Sequence, residues 1–195
     1  MNIRLILTGL VASAALYAMA GTTRAQIFVV NQGPFGNGTV GEYTTSGATV
    51  NPALISGLNG PLGIAVSGGN LFVVNFNTGT IGEYTTSGAT VNPALVSGLG
   101  GPVAIAASGG NLFVTNTFTN TIGKYTTSGQ RVNPALISGL SGPDSIAVSG
   151  GNLFVANEGT DTIGQYTTSG AAVNPALIGA SFGEAWRHPE TSCLS

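Results

Sequence analysis

The sequence predicts an all-β fold, a partial β-propeller of four-stranded antiparallel blades preceded by an N-terminal signal helix. Three observations predict it. The chain repeats with a period of 41 residues: Tyr43, Tyr84, Tyr125 and Tyr166 each open a Tyr-Thr-Thr-Ser-Gly segment, and Asn-Pro-Ala-Leu recurs in step at Asn51, Asn92, Asn133 and Asn174. Each period holds four short apolar or β-branched runs divided by Gly, Pro, Asn and Ser. The run Leu71-Phe72-Val73-Val74 is apolar throughout, whereas a strand with one wet face alternates, so both faces of the sheet must be covered.

The unit Gly60 to Gly100 shows the four strands in order. The first is Ile64 to Ser67, and Ser67-Gly68-Gly69-Asn70 is a glycine-rich hairpin turn that returns the chain into the second, Leu71 to Asn75. The third is Thr80 to Thr85. The fourth, Thr90 to Val96, contains Pro93, which has no N–H to donate and therefore belongs on an outer edge. In a propeller, blades pack face to face, so inner strands are buried on both sides and outer strands become polar. A parallel β-solenoid is the competing fold, but its coils run about 20 to 25 residues, so this period would have to be a double coil.

The N-terminus differs in kind. Arg4 precedes an uncharged apolar stretch, Leu5 to Ala18, followed by small-residue cleavage sites ending at Ala20 and Ala25. Repeat-like sequence starts at Gln26, which favours the second site. Residues 1–25 are therefore expected to be a signal peptide, since about 20 apolar residues are needed to span a bilayer and this stretch is shorter. The expected location is secreted or periplasmic, with no membrane attachment after cleavage. The repeats then divide as 26–59, 60–100, 101–141 and 142–178, with a non-repeat tail at 179–195.

The repeat Gly-Pro-x-x-Ile-Ala-x-Ser-Gly-Gly-Asn-Leu-Phe-Val, followed by Asn and then Thr-Ile-Gly-x-Tyr, resembles the NHL-type propeller repeat over roughly Ile27 to Ile178. The resemblance implies a propeller of about six blades. It extends to secreted bacterial repeat proteins and, distantly, to the streptogramin lyases, which depend on histidine chemistry. No repeat position here carries a histidine, which argues against lyase activity.

Counting strands from Ile27 to Ile178 gives fifteen, or about 3.75 four-stranded blades. After Ile178 the pattern stops, and the tail brings the chain's single Trp186, His188 and Cys193. This reads as a truncated or frameshifted end of a longer repeat gene, or as an arc that two chains complete through their open strand edges. With one cysteine, no intrachain disulfide forms.

Composition limits the chemistry. Charged residues make up 6% of the chain against about 25% in a typical domain, and a formal charge of −2 offers no basic stripe for nucleic acid. Between Ile27 and Ile178 the charged residues are Glu42, Glu83, Lys124, Arg131, Asp144, Glu158 and Asp161, with no His or Cys among them. General acid–base catalysis and metal binding need such groups to converge, so no catalytic residue, metal site or cofactor is assigned. His188 lies in the tail, where a solvated residue is the simpler reading.

Copies differ most in the loop before strand one and the loop between strands two and three, which leave the same end of an antiparallel blade. Leu62-Gly63 becomes Val103-Ala104 and then Asp144-Ser145; Phe76-Asn77-Thr78-Gly79 becomes Thr117-Phe118-Thr119-Asn120 and then Glu158-Gly159-Thr160-Asp161. Loops on a rigid scaffold commonly carry binding, so the candidate ligand contacts are Asp144, Ser145, Glu158, Asp161, Phe76 and Phe118. The acidic trio Asp144, Glu158 and Asp161 has oxygen chemistry suited to Ca²⁺ but no Ca²⁺ loop motif, and reads as solvated acids. Asn31, Asn75, Asn116 and Asn157 end strand two in each copy and read as residues bonding to turn backbone; the four repeat tyrosines read as packing between blades. The expected function is a non-catalytic scaffold that binds an unknown protein or small-molecule ligand. The alternative is a fragment of a lyase- or lactonase-type propeller enzyme.

Overall fold

The structure, a computed structural model, describes the backbone of residues 4–7, 10–17 and 25–179. Three four-stranded antiparallel meanders follow one another along the chain: β6 (Pro61–Ser67), β7 (Asn70–Asn75), β8 (Thr80–Thr85) and β9 (Thr90–Val96); β10 (Pro102–Ser108) to β13 (Arg131–Ile137); and β14 (Pro143–Ser149) to β17 (Ala172–Ile178). Ahead of them stands a five-stranded sheet of β1 (Arg4–Leu7), β2 (Leu10–Tyr17), β3 (Gln26–Asn31), β4 (Asn37–Thr44) and β5 (Thr49–Asn59), again in sequential order. Among the described residues no strand crosses from one sheet to another. The four sheets are four blades of a propeller arc, and the repeats supply β3 to β17, the fifteen strands expected.

Local chemistry fixes each blade. Ser67 pairs with Asn70 across Gly68 and Gly69, whose φ angles of 59° and 81° match the two positive-φ positions of a type I′ hairpin. The inner strand starts three residues earlier than its apolar run, because a bulge between Pro61 and Gly63 lets Pro61 pair with Asn75. The same shift separates Pro102 from Ile105 and Pro143 from Ser145. Thr-Ile-Gly-x-Tyr also acquires a reason. The ring of Tyr125 folds back over Gly123 so closely that a Cβ there would lie 2.7 Å from it, and Tyr84 and Tyr166 repeat the arrangement.

The core lies between blades. Ala65, Phe72, Val74, Ile81 and Val96 of the second blade meet Ile105, Leu112, Val114 and Tyr125 of the third. Phe28, Val30, Val40 and Ile55 meet Ile64, Leu71, Val73 and Tyr84 in the same way, as do Phe113, Ile122 and Ile137 against Ile146, Leu153, Val155 and Tyr166. Alternate side chains of each second strand therefore serve two different interfaces.

Two expectations are corrected. The segment expected to form a signal helix is extended where it is described, in β1 and β2, while residues 18–24 lie outside the described residues. The first repeat lacks its own inner strand, so β3 would present an unpaired edge; β2 pairs with it from Ala12↔Asn31 to Tyr17↔Gln26. The outer strands are also less polar than expected: Val50, Val91, Val132 and Val173 are 52–54% exposed, because only one side of an outer strand faces the neighbouring blade. The non-repeat tail expected at 179–195 lies, apart from Gly179, outside the described residues.

Burial at the blade interfaces sets the stability. Replacing Phe113, 1% exposed, with Ala is expected to cost about 3–5 kcal/mol in urea unfolding, whereas Phe118→Ala, at a side chain 73% exposed, should stay within about 0.5 kcal/mol.

Candidate functional site

The two variable loops of each blade are held together at one end of the arc. The first residue after strand two donates its backbone N–H to the glycine before the inner strand: Phe76 to Gly60 at 2.9 Å, Thr117 to Gly101 at 2.9 Å and Glu158 to Gly142 at 3.0 Å. The loops are also tied to the next blade. Asn120, at φ 55°, accepts from Leu140 N through its carbonyl and from Gly142 N through its side chain, and Thr117 Oγ1 donates to Pro143 O at 3.1 Å. This end is therefore a continuous and well-braced surface.

On it the structure brings together one pair of the candidate residues. Phe76 and Phe118, from the corresponding loops of adjacent blades, meet edge to face with ring centroids 5.4 Å apart. Phe118 projects to solvent over this contact. The fourth blade carries the acids. Glu158 begins a single 3-10 turn ending at Thr160, Asp161 follows in the left-handed conformation, and both are exposed. Asp144 occupies the bulge between Pro143 and Ser145 and is half-buried. The three carboxylates do not converge: among the described residues no group of three His, Cys, Asp or Glu side chains is placed to hold a metal ion.

The asparagine ladder departs from its expected turn-bonding role. Asn75, Asn116 and Asn157 are buried, and the Oδ1 atom of each has no hydrogen-bond partner. Each pairs across the sheet with Pro61, Pro102 or Pro143, which has no N–H to offer. The Asn157 amide donates to Thr162 Oγ1 at 3.4 Å.

A small cavity of about 210 Å³ opens beside Asn116, bounded by Thr119, Thr121, Tyr125, Arg131 and the Gly98–Gly100 loop of the preceding blade. Arg131 stands across the strand pair from Tyr125, and a Cβ at Gly98 would lie 4.0 Å from its guanidinium. This position is Thr49, Thr90 and Ala172 in the other copies. Sequence reasoning passed over the cavity, although one signal was available: a lone arginine where sister repeats place small residues. The cavity offers a cation, a phenol, hydroxyls and an amide to a small polar ligand, but its volume is below the roughly 300 Å³ of a typical ligand pocket.

Burial pushes the phenols of Tyr84, Tyr125 and Tyr166 above the usual tyrosine value, and at Tyr125 the Arg131 cation partly offsets this. A raised folded-state value means that the unfolded chain loses its proton first. Stability from these groups is therefore intact below about pH 10 and falls as pH rises through the folded values. Arg131→Met removes the charge that favours phenolate, so Tyr125 should titrate at still higher pH in a phenolate absorbance titration while Tyr84 and Tyr166 stay unchanged; a fall would contradict the assignment.

With this geometry in view, the chain can be placed among known structures. No protein-family profile and no curated protein sequence matches it. It is similar in fold to a selenomethionine-substituted virginiamycin B lyase from Staphylococcus aureus, with 21% identity and a TM-score of 0.61, covering 87% of this chain and 64% of that one. It is similar also to a chain of a nidogen/laminin complex, with 15% identity and a TM-score of 0.55, covering 85% of this chain and 89% of that one. The chain thus spans just under two thirds of the lyase. At these identities the likeness establishes the fold: this is a propeller-like repeat protein.

Proposed function

We propose that this protein is an exported, non-catalytic binding scaffold whose braced loop face contacts a protein or small-molecule partner. The observation that carries the reading is the Phe76–Phe118 pair, an apolar platform shared by two blades at the end of the arc where the copies differ. Exposed aromatic side chains on rigid supports are favourable anchors for recognition, because they bring large contact area at low entropic cost. Asp144, Ser145, Glu158 and Asp161 extend the same face with polar and acidic groups. The supply of catalytic groups in the repeats supports binding over chemistry, since His and Cys occur only as His188 and Cys193.

Export rests on the apolar Leu5 to Ala18 stretch and the small-residue sites at Ala20 and Ala25. Among the described residues no helix is long and apolar enough to cross a membrane. Removal of the leader would also free the β3 edge that β2 now occupies. The alternative, a fragment of a lyase- or lactonase-type enzyme, draws on the likeness to virginiamycin B lyase, which at 21% identity speaks for the fold alone.

Two measurements test the reading. Intact mass of the protein recovered outside the cytoplasm should correspond to a chain beginning at Gly21 or Gln26; full-length chain retained in the cytoplasm would refute export. A photo-crosslinking residue at position 118 should form adducts in the native extracytoplasmic fraction, while the same residue at position 68, on a hairpin turn, should not. Equal labelling at both positions would remove the case for a binding face.

A further inference from the structure

We infer that the free trailing face of the fourth blade is an interface for the leading face of the first blade of a second copy of this chain. The three internal blade contacts share one device. The glycine of each Thr-Thr-Ser-Gly turn seats on a leucine of the preceding outer strand: a Cβ at Gly88, Gly129 or Gly170 would lie 2.6–2.7 Å from the carbonyl oxygen of Leu54, Leu95 or Leu136 respectively. The leucines and turn glycines are half-buried as a result, and Tyr84, Tyr125 and Tyr166 beside the turns are buried.

Among the described residues, each end of the arc carries one unmatched half of this device. Gly47, the first of the four turn glycines, has nothing within 4 Å of its would-be Cβ and is exposed, and Tyr43 beside it is only half-buried. Leu177, in register with Leu54, Leu95 and Leu136, is 42% exposed, and Ile178 is 38% exposed where its counterparts Ile55, Val96 and Ile137 are 4–6%. Phe154, Ala156 and Ile163 are half-buried at positions that are fully buried in the second and third blades. On the opposite end, Ile27 and Val29 are likewise half-buried.

The two faces are the halves of a contact this sequence already makes three times, so the surface that fits Leu177 and Ile178 is the one around Tyr43 and Gly47. The charged position of the interface, Glu42, Glu83 or Lys124 in the earlier blades, is the neutral Gln165 in the fourth, so docking buries no charge from that site. Such an interface is head to tail. Two copies in a two-fold ring satisfy both faces of each and reach about eight blades, the upper end of the common range for propellers of about 4–8.

Light scattering on size-separated protein at up to about 100 μM tests this. The wild-type chain should have the mass of two copies. Leu177→Glu/Ile178→Glu, which alters only side chains already partly exposed, and Tyr43→Asp should each have the mass of one, with far-ultraviolet circular dichroism unchanged. Mixing these two variants should restore a two-chain species, because one carries an intact leading face and the other an intact trailing face. A one-chain mass for the wild type would overturn the proposal, as would a two-chain mass that persists in both variants. A one-chain wild type whose shortened form ending at Ile178 pairs would overturn it too, assigning the face to residues 179–195.

Discussion

A four-stranded sheet with Leu71 and Val73 on one face and Phe72 and Val74 on the other has no side that it can show to water. Each of these residues is at most 1% exposed, yet within its own blade neither face is covered by another layer. At about 25 cal/mol per Å² of apolar surface, leaving either face wet would remove most of what favours folding over chain entropy. The neighbouring blade is therefore as much a part of a blade's fold as its own hydrogen bonds. The glycine turns, the tyrosine rings that lie over Gly82, Gly123 and Gly164, and the bulges at the inner prolines all serve to bring successive sheets to packing distance.

This constraint makes function a property of what the packing leaves over. The strands are committed on both faces, so variation between copies concentrates in the braced loops at one end, with single substitutions elsewhere. Lys124 illustrates the second kind. It replaces the glutamates of the earlier blades, lies 5.5 Å from the ring centroid of Phe113, and donates to Thr168 O of the following blade at 3.2 Å. Glu83 at the equivalent position instead accepts from Asn70 within its own blade at 2.6 Å. Arg131 is another such substitution: it takes the place of Thr49, Thr90 and Ala172 and lines a small polar cavity beside Asn116.

Much of the fold was legible because the period and the turn chemistry point the same way. The Gly-Gly hairpins, the edge-strand proline at Pro93 and the two-sided apolar run each carry a physical requirement that a single sequence displays. What escaped was non-local. The bulge that starts β6 at Pro61 depends on pairing with Asn75, and the extended leader depends on an edge that exists only once β3 has formed. The candidate site divides along the same line. The loop face followed from topology and internal variation, and the meeting of Phe76 with Phe118 needed the angle between blades. The asparagine ladder was visible as a repeat, but its burial opposite Pro61, Pro102 and Pro143 depends on a bulge in the inner strand that spacing alone does not place.

The dependence of each blade on its neighbours can be measured directly on residues 60–100 alone. The account predicts that this single unit has no cooperative thermal transition and no protected amides in hydrogen exchange, while the chain that joins three or more units shows both. A cooperatively folded, exchange-protected single unit would contradict it.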